Sequence, residues 1–197
     1  MSRGLRIVGG VHRGRRLAAP AGETVRPTSD RARQALFNIL SHGSFAADGL
    51  PFAGRPVLDA FAGTGALGLE ALSRGASAAV FIENGRDALA ILRRNIAALG
   101  EEDRAHIVAA DATRSARAAM VCAAAFLDPP YQSGLAGPAL SALAGAGWLM
   151  PGALAVVEVA AREELSLPAG FAPIDERIYG AARLVFLRYN HATGGER

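Results

Sequence analysis

From Pro56 to Tyr189, apolar runs of strand length alternate with stretches whose apolar residues recur at helical spacing. The pattern predicts a strand over 56–60, a helix over 65–74, a strand over 78–82, a long helix over 86–99 and a strand over 106–110. A fourth strand over 123–127, a helix over 135–146 and a fifth strand over 154–159 follow, and two closing strands fall at 172–179 and 183–189. Strands separated by helices must run parallel, because each helix carries the chain back to the starting edge. Only the Gly180 turn separates the last two strands, so they should form an antiparallel hairpin at one edge. The expectation is an α/β fold with a doubly wound, mostly parallel, seven-stranded sheet.

Upstream, Leu5 to Leu17 reads as a small hairpin broken by Gly9, Gly10 and Gly14, and Pro20 to Pro27 reads as a loop. A helix should follow, with Thr28 as its N-cap and Asp30 in its first turn. Ala32, Ala35, Leu36, Ile39 and Leu40 share one face, leaving Arg31, Arg33, Gln34 and Asn38 outside. This gives a hairpin-plus-helix extension over residues 1–50, a core over 51–190 and a polar, frayed tail over 191–197.

Charge separates the extension from the core. The 197 residues carry a net charge of +3, and all 21 basic side chains are arginine. Residues 1–47 hold eight arginines against Glu23 and Asp30, a net +6, so the remainder is slightly acidic. A basic arm on an acidic body suits a polyanion, and the candidates for RNA contact are Arg6, Arg13, Arg15, Arg16, Arg26, Arg31 and Arg33. A solvated edge is the plainer alternative. Cys122 is the lone cysteine and the four histidines are scattered, which excludes an internal disulfide and leaves nothing to build a zinc cluster. No stretch approaches the roughly 18 apolar residues of a membrane span, and the start lacks a secretory pattern, so a cytoplasmic protein without a membrane partner is expected.

Chemistry-bearing residues gather where the predicted strands end. The first strand runs into Asp59-Ala60-Phe61-Ala62-Gly63-Thr64-Gly65-Ala66-Leu67-Gly68, directly ahead of a helix. Glycines there let a ligand lie against bare backbone beside unpaired helix amides. The second strand leads to Glu83, twenty residues after Gly63, where a carboxylate can accept from the vicinal hydroxyls of a ribose. Asp111-Ala112 follows the third strand and could meet an adenine edge, or Asp111 could simply cap the next turn. The fourth strand ends in Asp128-Pro129-Pro130-Tyr131. Two prolines fix an extended turn and remove two amide donors, leaving carbonyls and a carboxylate as acceptors for a ligand bearing N–H groups. Tyr131 adds a flat face for a planar ring, with its hydroxyl at the wet edge.

The glycine loop, the acidic strand end and DPPY, in that order, resemble the class I S-adenosylmethionine-dependent methyltransferases, whose sheet is Rossmann-like. Arg6-Ile7-Val8-Gly9-Gly10, His12-Arg13-Gly14-Arg15, Arg26-Pro27-Thr28, Asp30-Arg31 and Ala35-Leu36-Phe37-Asn38, with the glycine loop, look like the bacterial RsmD family. The resemblance implies methylation of the exocyclic N2 of guanine at position 966 of 16S rRNA in the small ribosomal subunit or its assembly intermediate. It implies S-adenosylmethionine as cofactor, S-adenosylhomocysteine as product and no metal. It assigns Asp128, Pro129, Pro130 and Tyr131 to the transfer. Phe61, Gly63, Thr64, Gly65 and Gly68 would hold the methionine portion, Asp59 would lie near its ammonium, Glu83 would take the ribose, and Asp111 and Ala112 the adenine.

Three rivals follow from the residues themselves. Gly63, Gly65, Gly68 and Glu83 also fit a nicotinamide dehydrogenase, although the chain has no lysine for a Tyr-x-x-x-Lys pair and no separate substrate domain. DPPY suits an amino-methyltransferase acting on adenine in RNA or DNA equally well. A non-catalytic RNA-binding or ribosome assembly factor using the fold as a scaffold is the third, against which the intact cofactor motifs argue.

Overall fold

The computed structural model describes residues 4–20, 27–42, 45 and 49–190, except the side chains of 27–31. Seven strands, β1 (Val57–Ala60), β2 (Ala79–Glu83), β3 (Ala105–Ala109), β4 (Cys122–Leu127), β5 (Leu149–Ala160), β6 (Phe171–Tyr179) and β7 (Ala182–Tyr189), form one sheet. Its order is β3-β2-β1-β4-β5-β7-β6. The first five run parallel, and β7 enters antiparallel between β5 and β6. The hairpin therefore closes one edge as the short Gly180 turn requires. Among the described residues four α-helices accompany the sheet: α1 (Pro27–Leu40), α2 (Ala66–Ser73), α3 (Arg86–Leu99) and α4 (Ala136–Gly145).

Alternation along each strand builds two cores. Val57, Phe81, Phe126, Val156 and Phe186 point to one face, where α1, α2 and α3 pack; Leu58, Ile82, Leu127, Val157 and Leu187 point to the other, toward α4 and Trp148. The basic extension is built into the first core. Leu5, Ile7, Leu17, Leu36, Phe37 and Leu40 are buried there, and Phe37 packs on Phe126 with ring centroids 5.6 Å apart. Cys122 lies in the second core, and burial pushes its thiol to about 12, which makes it unreactive.

Three details differ from the sequence reading. Helix α1 begins at Pro27, which places Thr28 inside the first turn instead of at the position ahead of it; proline's fixed φ and missing amide suit the first helical position. Arg33 is 6% exposed, not outside, and donates its Nη2 to the Arg6 carbonyl at 2.7 Å, tying α1 to the hairpin. Strand β5 starts five residues before the expected Leu154, because Leu149 already pairs with Cys122 of β4; the register then shifts across a bulge in which Gly152 takes φ 81, and pairing resumes at Leu154 with Ala124.

The hairpin docks by polar contacts as well. Gly10 has φ +75 and lies so close to Ser73 that a Cβ there would meet the Ser73 carbonyl oxygen. The amides of Val11 and His12 donate to the Ser73 carbonyl and hydroxyl, and the fully buried Glu70 accepts the Val8 amide at 2.7 Å and Arg74 Nε at 2.7 Å.

Candidate active site

The carboxyl ends of β1, β2, β4 and β5 open into one cleft of about 900 Å³. Its floor is the turn after β1. Phe61 takes φ 61, a left-handed conformation unusual for a bulky residue, and Gly65 takes φ 78 as it leads into α2. Phe61, Gly63 and Thr64 line the cleft, while Gly65 and Gly68 do not: a Cβ on Gly65 would strike Leu92, and one on Gly68 would strike Phe81. Those two glycines let the loop pack closely on Leu92 of α3 and α2 pack closely on Phe81 of β2, behind the face that lines the cleft.

Acidic groups ring this floor. Asp59, 1% exposed, accepts the Gly68 amide at 2.8 Å. Burial drives its carboxyl well above the usual range, the Gly68 hydrogen bond opposes this, and Asp128 and Glu83 add like-charge repulsion. Glu83 receives the Gly63 amide on Oε2 at 2.7 Å and those of Asn84 and Gly85 on Oε1 at 2.9 and 2.7 Å. Three of a carboxylate's roughly four acceptor positions are thus filled, leaving room for one ribose hydroxyl; chelation of two requires one amide to let go. A cleft walled by carboxylates and backed by a bare glycine loop suits an adenosine ligand carrying positive charge.

Asp111 sits at the other end of the β2–β3 rim. Its Oδ1 accepts from the amide and hydroxyl of Thr113, both at 2.8 Å, capping the 112–114 turn and lowering its carboxyl pKa. Neither Asp111 nor Ala112, which is buried, lines the cleft. The capping alternative therefore describes the place of Asp111 in this structure.

Asp128, Pro129, Pro130 and Tyr131, at the end of the neighbouring strand β4, line the same cleft. Asp128 is exposed, Pro129 is buried and Tyr131 is half-buried. The Tyr131 hydroxyl is not at a wet edge: it donates to Glu158 Oε1 at 2.7 Å. Just beyond, Gln132 takes φ 58 and its amide donates to Glu163 at 2.8 Å, which anchors the end of the turn. Sequence reasoning missed Glu158 and Glu163. An acidic residue interrupting the apolar run of β5 is the signal that could have found Glu158. Asn95 was also missed; on the apolar face of α3, 1% exposed, it accepts the Ala18 amide and donates to the carbonyls of Ala18 and Thr64, linking the hairpin to the glycine loop.

Arg6, Arg13, Arg15 and Arg16 lie exposed on the hairpin, with Arg15 donating to the Ala98 carbonyl. Of the described arm arginines, Arg33 reaches the cleft wall. Arg26 and the Arg31 side chain lie outside the described residues. Among the described residues no cluster could hold a metal ion, and no helix is long and apolar enough to cross a membrane.

The family model described as Conserved hypothetical protein 95, that of the RsmD family, matches residues 5–188. The chain belongs to this family. It is 36% identical over 194 residues to ribosomal RNA small subunit methyltransferase D of Escherichia coli (strain K12), covering 98% of this chain and 92% of that relative. The Haemophilus influenzae protein of the same name is 33% identical over 181 residues, 89% of each chain. The solved Escherichia coli protein yhhF superposes with a TM-score of 0.78 at 34% identity, over 94% of this chain and 98% of that one. An RNA methyltransferase from Salinibacter ruber, solved with S-adenosyl-L-homocysteine, shares the fold with a TM-score of 0.61 at 14% identity, over 86% and 97% of the two chains. In architecture this RsmD-family chain is a Rossmann-like class I methyltransferase.

Proposed function

We propose that this RsmD-family chain uses S-adenosylmethionine to methylate the exocyclic N2 of a guanine in 16S rRNA, at position 966, within the small ribosomal subunit of the cytoplasm. One observation carries the reading: the Asp128-Pro129-Pro130-Tyr131 turn and the Phe61–Thr64 loop leave the ends of the neighbouring strands β4 and β1 and line one cleft together. The names of the relatives support an rRNA substrate and a methyl donor. The cleft's bare loop and clustered carboxylates fit a cationic adenosine ligand.

When bound, S-adenosylmethionine supplies a sulfonium methyl whose S–C electron pair returns to sulfur as the guanine N2 lone pair bonds the carbon, leaving S-adenosylhomocysteine. Phe61, Gly63 and Thr64 would hold the methionine portion, Asp59 would face its positive charge, and Glu83 would accept a ribose hydroxyl. The guanine amine is a poor nucleophile because its lone pair is delocalised into the ring. Asp128 and the Pro129 carbonyl accept hydrogen bonds from its two N–H groups and draw it toward tetrahedral geometry, Asp128 stabilises the positive charge that develops on nitrogen, and the surplus proton then leaves to solvent. Tyr131 offers its ring to the base, offsetting part of the few kcal/mol spent on extruding it from the RNA stack. Arg6, Arg13, Arg15 and Arg16 contact phosphates and set the register in which the base arrives.

Two measurements test the proposal together: calorimetric titration with S-adenosylmethionine, and transfer of a labelled methyl group into the RNA of unmodified small-subunit particles. Saturable binding with label in that RNA is the expected result. Binding without label, in the presence of intact particles, contradicts the transfer role.

A further inference from the structure

The parallel register of β4 and β5 pairs Leu127 with Val157, so the next residues, Asp128 and Glu158, stand level at the ends of neighbouring strands. Adjacent strands lie roughly 4.8 Å apart, close enough for two side chains to meet neighbouring atoms of one small ring. Both residues line the cleft. Glu158 Oε1 takes the Tyr131 hydroxyl at 2.7 Å, which fixes the carboxylate beside the aromatic ring. Among the described residues nothing donates to Glu158 Oε2. Burial pushes this carboxyl up, and the Tyr131 hydrogen bond works against that by favouring the ionised form, which can only accept.

The Watson–Crick edge of guanine carries two adjacent donors, N1–H and the N2 amine. Adenine and 2-aminopurine present a lone pair at N1 instead. We propose that Glu158 determines base specificity, its Oε2 accepting the N1–H of the target guanine while the level Asp128 receives the N2 amine. This rests on the guanine-N2 reading and adds the group that selects guanine. A base with a lone pair at N1 sets two acceptors against each other and leaves the carboxylate unpaired in a partly buried place. Sites built to take a donor reject analogues lacking it far more strongly than sites that discriminate by size. Tyr131 then acts twice, its ring facing the base and its hydroxyl holding the selecting carboxylate in place.

The test compares small-subunit particles carrying guanine or 2-aminopurine at the target position. Both bases keep the 2-amino group that receives the methyl, so only the N1 and C6 positions differ. The parent is expected to methylate the guanine particles much faster. Glu158→Gln, whose amide can turn its NH₂ toward an N1 lone pair, should narrow that preference about tenfold or more, with affinity for S-adenosylmethionine retained. Should that variant not fold, Glu158→Asp keeps the charge but withdraws the oxygen and should narrow the preference as well. A preference equal to the parent's in a folded variant overturns the assignment. A parent that binds S-adenosylmethionine yet methylates neither particle overturns the guanine-N2 reading, and the role of Glu158 falls with it.

Discussion

Glu83, at the end of β2, reaches back to hold the Gly63 amide at 2.7 Å, so the acidic strand end and the glycine loop are one unit. The same carboxylate secures the amides of Asn84 and Gly85 ahead of α3. Glu83→Ala removes an acceptor from three amides and from the ribose together. Affinity for S-adenosylmethionine should fall by about 1.5 to 3 kcal/mol, the range for hydrogen bonds to a charged group, and the melting temperature should fall with it. Calorimetry finding unchanged affinity would remove Glu83 from the ligand site and leave it a loop staple.

Asp59 gives a pH signature. Because burial raises its folded-state pKa, its contribution to stability is full below the unfolded carboxylate value and is lost as pH rises through the raised folded value. Asp59→Asn keeps an acceptor for the Gly68 amide and removes that loss. The ligand-free variant should therefore melt higher relative to the parent at pH 8 than at pH 5. A positive ligand favours ionised Asp59, so the parent should bind S-adenosylmethionine more tightly as pH rises across this window, and the variant should lack that trend. A variant whose melting difference from the parent is flat with pH would contradict a strained, buried carboxyl.

Most of the sheet was legible because its strands are buried on both faces and read as continuous apolar runs, with glycines at the helix ends; α3 spans the predicted residues 86–99. The start of β5 was not, since a bulge with Gly152 at φ 81 separates Leu149, which pairs with Cys122, from the apolar run that begins at Leu154, and that distant pairing leaves no local pattern. At the site, local motifs announced the glycine loop and DPPY. Glu158, Glu163 and Asn95 are single polar residues whose meaning comes from partners 27 to 77 positions away, which no local pattern records. Arg33 failed for the same reason: its carbonyl partner lies on the hairpin, 27 residues upstream.

The hairpin's charge is separable from its docking. Arg6, Arg13 and Arg16 have exposed side chains, whereas Gly10, His12 and Arg15 touch the core. Replacing Arg6, Arg13 and Arg16 with glutamine should leave the fold and cofactor affinity near those of the parent. Binding to unmodified particles should weaken, and the logarithmic salt slope should shrink by about 0.7 to 0.9 for each phosphate no longer engaged. Equal affinity with an equal slope would make the hairpin a solvated edge.

The identity of the product nucleoside bears on everything proposed for the cleft. Unmodified small-subunit particles incubated with the protein and labelled S-adenosylmethionine, then digested to nucleosides and resolved by mass spectrometry, should yield N2-methylguanosine as the labelled species. Label in N6-methyladenosine, or in any nucleoside other than N2-methylguanosine, would contradict the account.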